Sequence, residues 1–472
     1  MKKTKIVCTL GPASSDQFVI ENMLKSGMNV ARLNFSHGTH EGHKKTIDNF
    51  RKVRDGLGVP AAVLLDTKGP EIRTRNFAEG QVYVVEGQTF TFTTTDVLGD
   101  DKRVSITYKN LPGELKQGDK VLVDDGKILM EVVNLTENDI QCKVITGGKI
   151  SNRKGINVPD VKLKMEYISE QDKKDIIFGI ENDVDYIAAS FVRRGEDVEH
   201  LRNLLNANGG ESIKIISKIE NMEGIENFEE ILQHSDGIMV ARGDMGVEVA
   251  YEKLPGLQKR FIKRCQQSGK IAITATQMLE SMINSPTPTR AEITDVANAV
   301  YDGTMAVMLS GETAMGKYPV EAVKAMARIA IQAEEDDPKL RSREEIWHEM
   351  DAEDTTNAVG HAACTLAKDI KAGALMAITK TGYTAIRMSK FRPNINIIGA
   401  TPYYKTYHQL SLIWGVTPII AKYKKDLEHL FNHCIKIAEN EGLLKKDDKV
   451  VMSAGLPLDV VGNTNIIRVE TV

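Results

Sequence analysis

Eight short apolar runs recur along the chain, and their length and spacing constrain its fold more than any other feature. Each run is rich in β-branched residues, too short for a buried helix and followed by a polar or glycine-rich turn, which is typical of a buried strand. The runs span residues 5–10, 29–33, 61–65, 184–188, 213–217, 237–241, 271–274 and 305–309. Helical patterns lie between most of them, with Asp16 and Pro255 as start signals and Gly27 and Gly269 as stop signals. This alternation predicts a (β/α)8 TIM barrel, and a doubly wound open sheet is the alternative.

One long segment interrupts this rhythm after the third run. After Asp66-Thr67-Lys68-Gly69-Pro70 the pattern is all-β until about residue 170, with a turn at Asp124-Asp125-Gly126. Strands are predicted at residues 88–95, 103–108, 119–123, 128–133 and 140–146. We therefore expect a β-barrel domain at 70–170, inserted in a βα loop over the barrel mouth as a lid. The TIM barrel then consists of residues 1–69 and 171–345.

A third unit follows the barrel. Residues 336–351 are charged and contain Pro338, which is typical of a linking segment, and a helix is predicted at 355–368. Further helical stretches alternate with predicted strands at residues 374–378, 395–398, 416–420, 450–452 and 465–469. This pattern predicts an α/β domain at 346–472.

The composition is that of a soluble globular protein, with 42% apolar and 27% charged residues among 472. A net charge of −4 gives no indication of a nucleic-acid partner, and no apolar run reaches membrane-spanning length. The basic N-terminus lacks the long apolar stretch of a signal peptide. Five scattered cysteines suit the reduced core of a cytoplasmic protein, namely Cys8, Cys142, Cys265, Cys364 and Cys434.

Two carboxylates stand at the ends of neighbouring predicted strands. Glu220 ends the fifth strand and Asp244 follows the sixth, while the alternation of a strand places Lys218 on the same face as Glu220. A cation beside two carboxylates is suited to holding a divalent metal next to a phosphate ligand. A structural ion pair is the alternative interpretation.

The other strand ends carry polar clusters as well. These clusters include Ala31-Arg32-Leu33-Asn34-Phe35-Ser36-His37-Gly38, Asp66-Thr67-Lys68-Gly69-Pro70, Thr274-Ala275-Thr276-Gln277-Met278 and Leu309-Ser310-Gly311-Glu312-Thr313. In this order, and across essentially the whole chain, the motifs resemble those of the pyruvate kinase family. The order of the domains matches as well, and we expect the bacterial type without an N-terminal extension or an appended C-terminal phosphotransfer domain.

The resemblance implies an activity and a set of catalytic residues. The reaction transfers the phosphoryl group of phosphoenolpyruvate to ADP, giving pyruvate and ATP, as the last step of glycolysis. Phosphoryl transfer depends on neutralising charge, which Arg32, Arg73 and Lys218 supply. Substrate binding would use Arg32, Lys218, Thr276 and the backbone around Gly243 and Asp244. Thr276 is the family's candidate for enolate protonation, through a relay, and an ordinary strand residue is the alternative.

The resemblance also implies the cofactor and nucleotide sites. Glu220 and Asp244 would hold Mg²⁺ or Mn²⁺. An oxygen-only set for K⁺ consists of Asn34, Ser36, Asp66 and Thr67, although Asn34 and Ser36 are also common caps of turns. The predicted nucleotide contacts are Pro12, Asn34, His37, Arg73, Arg153 and Lys154. The spacing of His37, His40 and His43 does not place all three on one helix face, which argues against a metal site.

A second ligand site is predicted in the C-terminal domain. The loop made of Thr379, Lys380, Thr381, Gly382, Tyr383 and Thr384 follows a strand and opens a helix, which makes it a phosphate cradle. It matches the family's effector loop for a sugar phosphate or nucleotide, and Ser453-Ala454-Gly455 and Gly462-Asn463-Thr464-Asn465 are candidates to complete it. A polar connection without a ligand is the alternative. The resemblance further implies a homotetramer.

Two positions depart from the family pattern. Gly42 stands where the family often has an aromatic residue, which puts the adenine contact in doubt, and Glu71 is an acid where some members have a lysine. A barrel lyase or aldolase acting on a metal-bound enolate is the competing enzyme. The cation set Lys68, Arg73 and Lys218 favours phosphoryl transfer over it. A catalytically dead sugar-phosphate sensor is the third hypothesis, which the intact catalytic motifs disfavour.

Overall fold

The computed structural model describes residues 2–336, 354–457 and 462–472. The first part of the chain alternates strands and helices in the predicted order. Its elements are β1 Lys5–Thr9, α1 Gln17–Lys25, β2 Val30–Asn34, α2 His40–Leu57 and β3 Ala62–Asp66. Asp16 caps α1 by accepting a hydrogen bond from the amide of Phe18, as its position before the apolar pattern predicted.

An all-β domain is inserted after β3. Its strands are β4 Ile72–Arg73, β5 Gln81–Val84, β6 Thr89–Thr93, β7 Arg103–Ser105, β8 Lys120–Val123, β9 Ile128–Leu135, β10 Asp139–Thr146, β11 Gly148–Ser151 and β12 Gly155–Asn157. Seven of them form one sheet in the order β4-β12-β8-β9-β10-β6-β7, and β5 pairs with β11. A β-bridge between Thr74 and Ile106 joins the two outer strands, so the sheet curls into a small barrel around Phe90 and Phe92.

The chain then returns to alternating helices and strands. The elements are α3 Glu170–Glu181, β13 Tyr186–Ala189, α4 Gly195–Ala207, β14 Lys214–Ile219, α5 Met222–Glu226, α6 Phe228–His234, β15 Gly237–Ala241, α7 Arg242–Glu248, α8 Leu254–Gln267, β16 Ile271–Ala275, α9 Arg290–Tyr301, β17 Ala306–Leu309, α10 Gly311–Ala314 and α11 Pro319–Asp336. Eight parallel strands close in the order β1-β17-β16-β15-β14-β13-β3-β2. The predicted TIM barrel is confirmed, and the open sheet is excluded.

The last unit is the predicted α/β domain. Its elements are α12 Thr355–Asp369, β18 Ala374–Ile378, α13 Tyr383–Lys390, β19 Asn396–Thr401, α14 Tyr404–Gln409, β20 Val416–Ile420, α15 Leu427–Asn440, β21 Lys449–Gly455 and β22 Thr464–Thr471. The sheet order is β20-β19-β18-β21-β22, with β22 alone antiparallel to its neighbour among these strands. The linker predicted at 336–351 lies outside the described residues except for Asp336, which ends α11. The domain limits predicted at 69/70, 170/171 and 345/346 stay predictions.

The floor of the barrel, at the amino ends of its strands, packs on the C-terminal domain. Val7, Leu64 and Tyr186 from the barrel share one buried cluster with Leu412 and Trp414. This shared cluster joins the two domains at the floor of the barrel. Among the described residues, none of the helices is both long and apolar enough to cross a membrane.

Tyr186 links the two domains, since its hydroxyl donates to the carbonyl of Gln409 at 2.6 Å. Tyr186→Phe removes this buried hydrogen bond between the two domains, and we expect a loss of about 0.5–1.5 kcal/mol in the free energy of unfolding. The midpoint of urea denaturation measures it. Tyr83→Phe, at an exposed position, is the matched control. Equal midpoints for both variants would show that the hydrogen bond does not stabilise the domain contact.

Candidate active site

A buried carboxylate, Asp66 at the end of β3, holds the two central cations of the site. Its Oδ2 lies 2.6 Å from Nε of Arg32, which comes from β2, and its Oδ1 lies 3.1 Å from Nζ of Lys218, which comes from β14. Burial acts to raise the pKa of Asp66, but the two cations outweigh it and hold that pKa below its usual value. Asp66 therefore stays ionised, and the predicted residues Arg32, Asp66 and Lys218 lie together.

Ser190, directly after β13, is a further member of this network that the sequence interpretation did not assign. Its hydroxyl accepts from Lys218 Nζ at 2.7 Å and lies 2.6 Å from the carbonyl of Thr67 and 3.2 Å from Asp66. The single hydroxyl proton goes to the nearer acceptor, the Thr67 carbonyl. Gly69 makes this approach possible, because a Cβ there would come within 2.9 Å of Ser190.

The two predicted metal carboxylates stand on adjacent strand ends. Glu220 is 1% exposed, and it accepts from the amide of Phe191 at 2.6 Å and from Lys218 at 2.9 Å. Burial raises the pKa of Glu220, Lys218 opposes this rise, and Asp244 in the first turn of α7 adds to it. β14, which Glu220 directly follows, pairs with β15, which precedes α7, so the two carboxylates lie at the same end of adjacent strands.

This pair fits a divalent cation such as Mg²⁺. Mg²⁺ prefers oxygen ligands, and it is commonly held by one or two carboxylates while substrate oxygens and waters complete its shell. No group of three or more His, Cys, Asp or Glu side chains arranged for a metal occurs in the described part of the chain. The protein thus supplies two carboxylates and leaves the remaining positions open.

Thr276 lies in a strained turn next to this pair. Its φ is 68° and that of Gln277 is 54°, both in the left-handed region, which a β-branched residue rarely adopts. The Thr276 hydroxyl accepts from the amide of Gly243 at 2.7 Å and donates to the carbonyl of Ala275 at 2.6 Å. The Gly243 amide, predicted to contact a substrate carboxylate, is therefore engaged by Thr276 in this structure.

Arg242, the first residue of α7, contacts the turn that contains Thr276. The sequence interpretation did not assign Arg242 a role. Its guanidinium donates to the carbonyl of Thr276 at 2.8 Å and to that of Ala275 at 3.3 Å, and it pairs with Asp295 of α9 at 2.6 Å. Arg242 and Gly243 thus bind the carbonyl and the hydroxyl of the same residue. We infer that they hold Thr276 in its unfavourable conformation.

The inserted domain contributes basic residues from the other side of the cleft. Arg73 pairs with Glu71 at 2.7 Å and donates to the carbonyl of Arg153 at 2.8 Å, while Lys154 pairs with Asp124 at 2.7 Å. Burial raises the pKa of Glu71, which Arg73 and Lys68 oppose. Three predicted nucleotide contacts, Arg73, Arg153 and Lys154, therefore lie in one part of this domain.

The inserted domain also rests on α7. Asn157 of β12 donates to Glu248 at 2.9 Å, and Gly126 in the Asp124-Asp125-Gly126 turn lies against Val247. Because α7 begins with Arg242 and Asp244, the lid contacts the helix that carries part of the site.

The remaining predicted contacts lie on the barrel side. Asn34 pairs with Asp66 in the strand register and accepts from the amide of Ser36 at 3.2 Å. Pro12 and His37 are exposed in loops at the carboxyl ends of β1 and β2. In the described residues, no hydrogen bond joins these two to the basic residues of the inserted domain.

Two of the three histidines in this segment are engaged by other groups of the chain. His40 pairs with Asp175 at 2.6 Å. His43 donates from Nε2 to the carbonyl oxygen of His37 at 2.8 Å and stacks on Phe35, with ring centroids 4.1 Å apart.

Comparisons with known proteins agree with this geometry. The family profile "Pyruvate kinase, barrel domain" matches residues 1–323, and "Pyruvate kinase, alpha/beta domain" matches residues 357–470. The chain belongs to the pyruvate kinase family. Pyruvate kinases of Staphylococcus haemolyticus and Staphylococcus aureus (strain MRSA252) are 46% identical to it over 476 aligned residues, which cover 100% of this chain and 81% of each relative.

A solved structure of a pyruvate kinase from Cryptosporidium parvum has the same fold. It superposes with a TM-score of 0.93 at 39% identity, covering 100% of this chain and 96% of that chain. Membership of this family makes the chain a phosphotransferase of the pyruvate kinase type.

The predicted effector loop lines a pocket in the C-terminal domain. Its members Thr379, Lys380, Thr381, Tyr383 and Thr384 form one wall, and Gly455, Gly462, Asn463 and Thr464 form part of the other. Within the loop, Thr379 accepts from the amide of Gly382 at 3.0 Å, and the hydroxyls of Thr384 and Thr464 are 2.9 Å apart. Ser453, in contrast, is buried and donates to the carbonyl of Ile466, so it does not face this pocket.

Replacement of Arg242 tests its hold on Thr276. A lysine lacks the planar fork with which three nitrogens of Arg242 reach separate acceptors. Arg242→Lys should therefore let the strained turn relax and lower kcat by up to ~10²-fold, because a misplaced reacting group costs about that much. KM for the substrate should change far less. Steady-state kinetics measure both constants, and Arg328→Lys, on the exposed face of α11, is the control. Asp295→Asn should act in the same direction, and unchanged kcat in both variants would contradict the inference.

Proposed function

We propose that the protein transfers the phosphoryl group of phosphoenolpyruvate to ADP and protonates the resulting enolate to pyruvate. The observation that supports this most strongly is the buried network of Asp66, Arg32, Lys218 and Glu220 at the carboxyl ends of the strands. In a TIM barrel this is the face at which active sites lie. Family membership supports the same reaction.

Arg32 and Lys218 would neutralise the charge on the transferring group. Asp66 and Glu220 outweigh burial and raise the pKa of Lys218, so the amine keeps its proton. A fixed cation in a site with little water stabilises developing charge without having to reorganise. Lys218 is 9% exposed and bonded to three side chains, which gives it the required rigidity.

Glu220 and Asp244 would hold Mg²⁺ or Mn²⁺, which when bound neutralises charge on the substrate oxygens. On this chain's side, the Thr276 hydroxyl lies at the start of α7, next to Asp244. A hydroxyl is a weak acid, so we propose that Thr276 orients a water or relays a proton to the enolate. The Thr276 hydroxyl is held in one orientation by its hydrogen bonds with the Gly243 amide and the Ala275 carbonyl.

Lys218→Met tests the central role. We expect turnover to fall by ~10² or more, the scale for one preorganised electrostatic group. The assay follows pyruvate formed from phosphoenolpyruvate, with ADP and Mg²⁺ each present or omitted. Lys324→Met, at an exposed position of α11, is the matched control. Near-normal turnover of Lys218→Met would remove the residue from the mechanism, and pyruvate formation without ADP would favour a lyase.

We further propose that K⁺ occupies the oxygen set of Asn34, Ser36, Asp66 and Thr67. These oxygens suit a hard cation, and they adjoin the cations that face the phosphate. Glu71 adds negative charge on the opposite side, where it pairs with Arg73. A monovalent cation would compensate for that charge.

This proposal predicts a steep fall in activity when K⁺ is replaced by tetramethylammonium at constant ionic strength. Glu71→Lys should lessen the dependence, because the new ammonium supplies positive charge within the chain and frees Arg73. Initial rates in the two salts measure the effect. Glu79→Lys, exposed in the same domain, controls for the change in net charge. Equal rates of the parent enzyme in both salts would refute the K⁺ site.

We propose that the loop 379–384 binds a phosphorylated effector, a sugar phosphate or a nucleotide, and thereby activates the enzyme. Its hydroxyls, Lys380 and the start of α13 form a cradle for a phosphate group. Lys380 also lies over the ring of Tyr423, at 5.2 Å from its centroid, which places the cation at the pocket wall. A cytoplasmic homotetramer, as the family resemblance implies, is part of the same proposal.

The double variant Lys380→Ala/Thr384→Ala should lose activation and keep basal activity. Coupling between such sites is typically ~1–3 kcal/mol, so the affinity for phosphoenolpyruvate should no longer rise about 5- to 150-fold with the effector. Fructose 1,6-bisphosphate, glucose 6-phosphate and AMP are the probes. Lys446→Ala/Thr471→Ala, at exposed positions of the same domain, is the control. A double variant that still responds like the parent would place the effector elsewhere.

A further inference from the structure

A second cleft lies between the barrel floor and the C-terminal domain, far from the catalytic face. It encloses about 340 Å³, within the ~300–1,000 Å³ of small-molecule sites. The barrel wall of this basal cleft is formed near the amino ends of β14, β15 and β16, and the other wall by α13 and the residues just before it. The proposed reaction makes no use of it.

More positive than negative side chains line the basal cleft. Four cationic side chains face it, namely Arg202, Lys214, Lys270 and Arg387, whereas Asp236 is the one carboxylate among its described lining residues. Both oxygens of Asp236 are engaged, with Lys214 at 3.0 Å from Oδ1 and Arg202 at 3.2 Å from Oδ2. Lys270 and Arg387 are therefore left without a carboxylate partner in the described chain.

Within the described residues, the hydrogen bonds of Lys270 go to neutral groups. Its Nζ donates to the carbonyls of Leu232 and Gln233, at 2.5 and 2.8 Å, at the end of α6. Burial lowers the pKa of Lys270, and the charge of Arg387 lowers it further against the opposing effect of Asp236. A partly buried ammonium of this kind lacks a counter-charge, which an anion would provide.

Arg387 is the second unbalanced cation. Its Nη1 donates to the carbonyl of Ser268 at 2.7 Å, but its Nε is buried and has no hydrogen-bond partner. A buried donor without an acceptor is costly and rare in folded proteins. Gly269, with φ of 61°, leaves the room for the guanidinium, because a Cβ there would come within 2.5 Å of Nη1.

We propose that the basal cleft binds a small phosphate-bearing anion, held by Lys270 and Arg387. A guanidinium and an ammonium are the side chains that recognise phosphate, the first through its planar fork and the second as a point charge. The non-ionic part of the ligand would lie against the apolar lining, which includes Tyr383, Ile386, Leu410 and Ile413.

The basal cleft and the effector pocket share a wall. Thr381 and Tyr383 line both cavities, and the guanidinium of Arg387 lies 4.8 Å from the centroid of the Tyr383 ring. A ligand that moves Arg387 therefore changes the loop that forms the effector pocket. Occupancy of one site then alters the affinity of the other, reciprocally.

The probe is inorganic phosphate, titrated calorimetrically without Mg²⁺, phosphoenolpyruvate or ADP and at constant ionic strength. The parent for this test is the full chain with Lys380→Ala/Thr384→Ala, which removes the effector cradle. Adding Lys270→Met and Arg387→Met should remove one phosphate site or weaken it at least tenfold. Adding Lys317→Met and Arg328→Met instead, at exposed positions, should leave it unchanged.

An unchanged phosphate isotherm after Lys270→Met and Arg387→Met would overturn the proposal. Loss of that site already in the Lys380→Ala/Thr384→Ala parent would overturn it as well, because the effector pocket alone would account for it. If the multiple variant fails to fold, crystals of the unaltered protein soaked in selenate decide the matter. Selenium anomalous density next to Arg387 supports the site, and its absence overturns it. Neither readout depends on catalysis, so the proposed function is tested separately.

Discussion

The candidate active site depends on one buried carboxylate that neutralises two cations at once. Without Asp66, the barrel mouth would hold Arg32 and Lys218 side by side with only Glu220 to balance them. Removing one member of a buried ion pair costs far more stability than the intact pair contributes, because an unpaired charge is left behind. The same arrangement directs both cations towards the space above the strand ends. Structural charge balance and readiness for an anionic substrate thus come from the same contacts.

Helix α7 brings several functions together within seven residues. Its first turn carries the proposed metal ligand Asp244 and the residues that hold Thr276, while its last turn receives Asn157 from the inserted domain. Met245 in the middle of this helix is buried in the barrel core, and the groups at its two ends contact the site and the inserted domain. The lid and the chemical centre are therefore linked mechanically through one rigid element.

Sequence reasoning predicted the buried parts of this molecule best. The eight barrel strands are apolar on both faces, so their runs were visible, and the strand-end motifs followed from the alternation. The strands β4, β5, β11 and β12 were missed because they are short and their few residues do not form an apolar run. Ser190 and Arg242 were missed because their partners are distant in sequence, 123 residues away for Ser190 and Thr67 and 34 for Arg242 and Thr276. Such contacts exist only once the barrel is closed.

The order of strands around the barrel has a consequence for synthesis on the ribosome. β1 pairs with β17, so one edge of the first strand has no partner until residue 306 and those after it have been synthesised. β3 likewise pairs with β13, more than a hundred residues later. The inserted domain, by contrast, closes on itself through Thr74 and Ile106. The inserted domain can complete its core while the nascent barrel still has unpaired strand edges. The risk of aggregation is greatest during this interval, because those edges can pair with other chains.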